Sequence, residues 1–206
     1  KNENDMKTMK RFFTMLIPLF LAYSASAQVE IGDKVDNFTL KNIDGTEVSL
    51  SDFNDEKGVI LVFTCNTCPF AIKYEERIMG LHQKFADEGY PVVAVNPNDP
   101  GVKPGDSFEA MKERAMEKGY DFPYLRDEDQ KLASYYGAER TPEIFLLENK
   151  DGSFYLKYTG TIDNNVDNPD AADEHYVTAA VNDLQAGKDV AVKETKAVGC
   201  TIKWGN

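Results

Sequence analysis

The chain has 206 residues, 42% apolar and 28% charged, which is too apolar and too aromatic for a disordered polypeptide and long enough for one domain with a self-sufficient core. Its 23 Lys and Arg against 35 Asp and Glu give a net charge of −12. That argues against nucleic acid, or an anionic membrane gripped by a basic face, as a partner. Three cysteines are too few for a disulfide scaffold but enough for a redox pair plus one.

Residues 6–27 read MKTMKRFFTMLIPLFLAYSASA. Lys7, Lys10 and Arg11 form a basic start. Phe12 to Tyr23 is an apolar run interrupted by Thr14 and Pro18, and Ala25-Ser26-Ala27 is a small-residue site ahead of Gln28. This is the layout of a secretory signal peptide. Its apolar core of about a dozen residues falls short of the roughly 20 that span a bilayer. The expected division is a signal peptide with upstream residues over 1–27 and one domain over 28–206. The domain is expected to be exported to the periplasm or secreted, with no stable membrane insertion after cleavage. Such a compartment is oxidising, so cysteine redox chemistry matters there.

The rest of the chain alternates strand and helix. Phe38-Thr39-Leu40 and Val48-Ser49-Leu50 flank Asp44-Gly45 and predict a hairpin. Gly58 to Phe63 is a continuous apolar run, as in a buried central strand. From Pro69 to about Glu88 the spacing predicts a helix with Ile72, Ile78, Leu81 and Phe85 on one face, stopped by Gly89. Val92–Val95 predicts a second buried strand, and 96–105 a loop. Residues 106–118 read as a helix with Phe108, Met111 and Ala115 inward. Tyr124-Leu125 is a short strand, and Gln130 to Tyr136 a short helix. Glu143–Leu147 and Ser153–Tyr158 flank Asp151-Gly152 as an antiparallel hairpin. Residues 170–186 read as the last helix. The expectation is an α/β fold: a central mixed sheet flanked by helices, with an N-terminal β-hairpin.

Cys65-Asn66-Thr67-Cys68-Pro69 lies where the buried strand turns into the first long helix. Proline is favoured at the first helical position, so Cys68 is expected to be the N-cap. A thiolate there faces unpaired amides and the positive end of the helix dipole, both of which favour the ionised form. Cys68 is therefore the expected nucleophile, and Cys65 the expected resolving thiol. Inert packing of two small hydrophobes is the plain alternative. A zinc site would need a second Cys or His pair at ligand spacing, and His82, His175 and Cys200 stand alone in the sequence. No metal and no cofactor are expected.

These residues resemble the thioredoxin-fold superfamily in its alkyl hydroperoxide reductase/thiol-specific antioxidant (redoxin) branch. The similarity is strongest to exported peroxiredoxin-like proteins with a C-N-x-C-P-[FY] box. It is carried by 31–53, by VFTCNTCPFAIKYEERI (62–78), by YGAERTPEIFLL (136–147) and by GCTIKW (199–204). The resemblance implies a thioredoxin-like fold of the peroxiredoxin/redoxin type and a cis-proline at Thr141-Pro142, packed against the reactive cysteine. It also implies thiol-dependent oxidoreductase activity on a thiol/disulfide protein partner or a small peroxide. Cys68 matches the family nucleophile. Ala71 stands where the usual second cysteine would be, leaving Cys65 or Cys200 to resolve the oxidised state. In peroxiredoxin register Cys65 replaces the threonine three residues before the reactive cysteine. Thr67 stays a candidate site residue. Arg140, beside the proposed cis-proline, matches the arginine that peroxiredoxins keep near the thiolate; the alternative is an exposed loop arginine.

Cys200, after the last helix, is either a resolving thiol brought back by the tail or a cysteine buried beside Trp204. Asp163, Asn165, Asp167 and Glu174 fit part of a calcium-loop pattern, against a plain polar turn with an N-cap for the last helix. His82 reads as a packing residue. Three functions result: a thiol–disulfide oxidoreductase in redox homeostasis, a peroxiredoxin-like peroxidase with Cys68 peroxidatic, or a non-enzymatic copper chaperone using Cys65, Cys68 and His175.

Overall fold

The structure is a computed structural model and describes residues 28–205; the expected signal peptide, 1–27, lies outside the described residues. The Asp44-Gly45 turn joins β1 (Thr39–Asn42) to β2 (Glu47–Ser49) as an antiparallel hairpin. Asp44 accepts hydrogen bonds from both the amide and the hydroxyl of Thr46. Gly45 takes φ +92, which glycine adopts without steric cost. Leu50 does not continue β2. The Asp52 carboxylate accepts the Ser49 amide and turns the chain into a 3-10 segment, Leu50–Phe53.

β3 (Gly58–Phe63) is buried at every residue. α1 (Pro69–Phe85) leads to β4 (Val92–Asn96), also buried throughout and parallel to β3. α2 (Phe108–Lys118) leads to β5 (Tyr124–Arg126), parallel to β4. After α3 (Lys131–Tyr136) come β6 (Arg140–Thr141), β7 (Glu143–Lys150) and β8 (Ser153–Gly160). α4 (Tyr176–Gln185) and β9 (Cys200–Thr201) end the chain. The main sheet runs β2-β1-β5-β4-β3-β7-β8. β7 is antiparallel to β3 and to β8, and β1 is antiparallel to β5, so the expected hairpin extends the sheet at one edge.

Alternation along the buried strands makes two cores. Ile60, Val62, Val92 and Ala94 face α1, α2 and α4. Val59, Leu61, Phe63, Val93 and Val95 face α3 and the N-terminal residues Val35, Phe38 and Leu50. A strand covered on both faces has no polar alternate positions, hence the unbroken apolar runs.

Several expectations are corrected. Ile72 is 43% exposed; the buried stripe of α1 is Ala71, Tyr74, Glu75, Ile78, Leu81 and Phe85. Six residues turn a helix by about 600°, leaving Ile72 roughly 120° from Ile78, whereas i, i+3, i+4, i+7 from Ala71 stays on one face. α2 begins at Phe108 because the Ser107 hydroxyl caps it by accepting the Ala110 amide; Asp106 belongs to a preceding 3-10 turn, Pro104–Asp106. The last helix begins at Tyr176. Before it, Asn168 caps a 3-10 turn, Pro169–Ala171, and the Asn164 side chain holds Asp173 and the Glu174 amide in a loop. Asn168 thus caps that turn, and His175 precedes α4 without a side-chain cap bond. β6 and β9, absent from the sequence reading, pair with each other, Thr141 opposite Cys200.

Leu61 is fully buried at the centre of β3. Leu61→Ala is expected to cost about 2–5 kcal/mol, read in urea as a lower midpoint at unchanged slope. A loss below about 1 kcal/mol would show that this side of the sheet is not close-packed.

Candidate active site

β3 ends at Phe63, but the Thr64 amide still donates to the Val95 carbonyl at 2.8 Å. The strand therefore delivers the next residues to the top of the sheet. The turn that follows is held by a buried carboxylate. Asp106, 0% exposed, accepts the Asn66 amide on one oxygen and the Thr67 hydroxyl on the other, each at 2.7 Å. It also accepts the side-chain amides of Asn98 at 2.9 Å and Asn96 at 3.4 Å. The Asn66 side chain donates to the Gly105 carbonyl and accepts the Tyr124 hydroxyl, both at 3.0 Å. Cys68 then stands at the N-cap of α1 with extended angles, and Pro69 takes the first helical position.

Cys65 and Cys68 are buried, Cys200 is partly exposed, and all three are free thiols. They pack together with Phe70 and Ala71. The Cys200 amide donates to Cys68 Sγ at 3.3 Å. Cys65 Sγ lies 3.1 Å from the hydroxyl of buried Thr141. The Thr141-Pro142 bond is cis, as the resemblance implied.

The thiols divide one charge unequally. Cys68 is held well below the usual thiol range, first by the hydrogen bond from the Cys65 thiol; the Cys200 side chain and the amides of Ala71 and Cys200 act in the same direction, and burial opposes them. Cys65 is pushed far up by facing that thiolate, by burial and by the negative charge of Asp106. Cys200 is raised to about 11, first by burial and then by Cys68. Of the three thiols Cys68 is the one favoured to ionise, and the Cys200 amide donates to its sulfur.

The remaining sequence candidates fall as follows. The Thr67 hydroxyl serves Asp106, not a sulfur. Arg140 is partly buried, and its guanidinium donates to the Gly199 carbonyl at 2.9 Å, so it holds the tail strand. His82 Nδ1 accepts the Val92 amide at 3.1 Å, a packing role. His175 lines a cavity with Arg77, Leu81, Lys84 and Asp163. Those α1 residues lie nine or more positions past Cys68, about 14 Å or more along the axis at 1.5 Å per residue. The fold does not bring His175 to the cysteines as the copper reading required. Asp163 is paired with Arg77 at 2.7 Å and Asp167 with Lys73, so the calcium-like run is a polar turn bound to α1. Among the described residues no group of three or more His, Cys, Asp or Glu is placed to hold a metal ion. Trp204 is 44% exposed and does not bury Cys200. The sequence reading missed Asp106 and its asparagines. A carboxylate forty positions from Asn66, inside a Pro/Gly loop, gives no sequence signal.

The AhpC/TSA family model matches residues 31–164. Thiol-disulfide oxidoreductase ResA of Bacillus cereus is 25% identical over 166 residues, spanning 75% of this chain and 91% of its own. The chloroplastic Peroxiredoxin Q of Gentiana triflora is 27% identical over 144 residues, 66% of this chain and 61% of its own. Among solved structures, an uncharacterized conserved protein of Geobacillus kaustophilus is 33% identical with a TM-score of 0.79, over 86% of this chain and 94% of that one. The mixed sheet with its flanking helices is thioredoxin-like.

Alkylation of Cys68 by iodoacetamide, followed against pH, is expected to show a midpoint below the ordinary thiol value of about 8.5. Cys65→Ala, which removes the leading donor, should move that midpoint upward; an unmoved midpoint would show that Cys65 does not hold the thiolate. Because the thiol is depressed in the fold, its contribution to stability is present above the unfolded-chain value and lost as pH falls through the folded one. Asp106→Asn puts an NH2 group against donors and should cost about 3 kcal/mol in urea denaturation. A near-neutral result would mean that the turn is held by other contacts.

Proposed function

Since the chain belongs to the AhpC/TSA family and is a thiol-dependent oxidoreductase, we propose that it is an exported thiol–disulfide oxidoreductase whose attacking group is the Cys68 thiolate. The observation that carries this is Cys68 at the start of α1, its sulfur accepting the Cys200 amide at 3.3 Å. Cys68 Sγ attacks one sulfur of a client disulfide. The S–S bond breaks, the departing thiolate takes a proton, and a mixed disulfide remains on Cys68. A second thiol of the same cluster then attacks Cys68 Sγ and releases the rest of the client as a thiol. The client gains two electrons, the protein is left with an internal disulfide, and an external dithiol restores it by the reverse exchange. Thr141 and Pro142 are the neighbouring site residues: Thr141 faces Cys65, and Pro142 follows in the segment that supports it.

A peroxidase needs donors that hold the peroxide oxygens beside the thiolate. The position three residues before Cys68 is Cys65, a weak donor whose sulfur already faces Thr141, and the Arg140 guanidinium is bonded to Gly199. This favours disulfide exchange over peroxide reduction. Among the described residues no helix is long and apolar enough to cross a membrane.

Reduced protein is expected to consume a disulfide-bonded peptide rapidly at Cys68, and Cys68→Ser to lose the activity by roughly a hundredfold or more. One equivalent of hydrogen peroxide with a dimedone-type trap should label Cys68 slowly. Fast labelling with sluggish peptide reduction would make the protein a peroxidase instead.

A further inference from the structure

The family match ends at residue 164, yet the chain beyond it returns to the site. Upstream, the Thr195 amide donates to the Thr159 carbonyl and the Thr159 amide to Lys193. Downstream, the Ile202 amide donates to Glu139, and Ile202 is buried. The Lys203 amide donates to Asn98 Oδ1 at 2.8 Å, and the Lys203 carbonyl accepts from Asp99 and Gln130. The stretch between these anchors is a strap across the active site. Its strand β9 pairs with β6, and Arg140 bonds the Gly199 carbonyl.

The strap places a sulfur-bearing residue over the nucleophile. Cys68 is 3% exposed, with the Cys200 amide directly on its sulfur. A client disulfide therefore reaches Cys68 Sγ only when Cys200 gives way, and the return of the strap carries Cys200 back onto Cys68. Cys65 is differently placed. Its turn is held to Asp106 through Asn66 and Thr67, and its sulfur is engaged by the buried Thr141 hydroxyl at 3.1 Å. Cys200 is the more exposed of the two, and of the causes that raise its thiol, burial and the facing Cys68, the charge on Cys68 is gone once Cys68 is held in a mixed disulfide.

We propose that Cys200 is the thiol that resolves Cys68, carried to it by a strap anchored on both sides of the active site. The proposal rests on Cys68 being the attacking thiolate and specifies the second step. Cys200 gives up its proton to solvent as its Sγ attacks Cys68 Sγ of the mixed disulfide, the bond from Cys68 to the client breaks, and the client sulfur leaves as a thiolate that takes a proton from solvent. A Cys68–Cys200 disulfide results, and the two electrons have gone to the client disulfide.

The test is a peptide map of the full chain after one equivalent of oxidised glutathione. Cleavage after Lys57, Lys73, Lys196 and Lys203 puts Cys65 and Cys68 on one peptide and Cys200 on another. A bridge to Cys200 joins the two; a Cys65–Cys68 bridge leaves one peptide lighter by two hydrogens. The linked pair is expected in the wild type and in Cys65→Ser, while Cys200→Ser should retain the glutathione adduct on Cys68 roughly tenfold longer or more. Gly199→Val keeps all three cysteines. A Cβ at Gly199 meets the Thr141 carbonyl oxygen at 2.4 Å, so the strap is displaced; bridging to Cys200 should slow while adduct formation on Cys68 does not. An adduct on Cys68 that Cys65→Ser keeps unresolved, with Cys200 free, overturns the role of Cys200 alone. No adduct on Cys68 in any variant overturns this proposal together with the nucleophile assignment.

Discussion

The site depends on one buried carboxylate. Asp106 has no contact with solvent, and a charge so placed is tolerated only when its lone pairs are filled. Asn66 and Thr67 supply two of the donors, from the turn that carries Cys65 and Cys68. Asn98 supplies another, and its own oxygen receives Lys203 from the strap that carries Cys200. The two thiol-bearing segments, far apart in the chain, are therefore positioned against each other through one side chain. Arg126 lies in the same layer, bonding the carbonyls of Asn96, Asn98 and Asp106, and brings a positive charge to the backbone around the carboxylate.

Around this anchor the molecule separates what must stay fixed from what must move. β3 and β4 are covered on both faces, and interiors packed to that degree do not deform in small steps. Cys65 and Cys68 inherit that fixity, since their turn leaves the end of β3 and enters α1 under Asp106. β9 has two residues and one partner strand. Local opening favours segments with few buried contacts over core strands. The thiolate is thus held on the rigid part and the second sulfur on the part that opens.

How far the sequence disclosed this depended on the range of each interaction. β3 was legible because burial on both faces removes every polar residue from Gly58–Phe63. The start of α1 was legible because Pro69 is a local signal at a defined helical position, and the hairpin at Asp44-Gly45 for a similar reason. Short-range patterns mislead where angle or tertiary contact overrides them. The apolar count puts Ile72 inward, but its angle on the helix puts it on the exposed side. Helical spacing extends back to 170, but the side chains of Asn164 and Asn168 hold 168–174 in turns. The cysteine pair and Thr141-Pro142 stood out as motifs, the latter only through resemblance. Asp106 could not be found, because its partners lie at 66, 67, 96 and 98 and only the folded sheet assembles them. The β6–β9 pair was hidden for the same reason: two-residue strands carry no periodicity, and their register comes from the anchors on either side.

The double anchoring of the strap has a kinetic meaning. Between Thr195 and Ile202 the chain closes a short loop, and the entropy of bringing its ends together is lost at folding rather than at each reaction cycle. The encounter of Cys200 with Cys68 is then a first-order event with a high effective concentration. Its rate does not fall as the protein is diluted, nor does it wait on the supply of free thiols around it. A tethered sulfur lets each molecule complete its exchange and leave no client attached, whatever the thiol content of its surroundings.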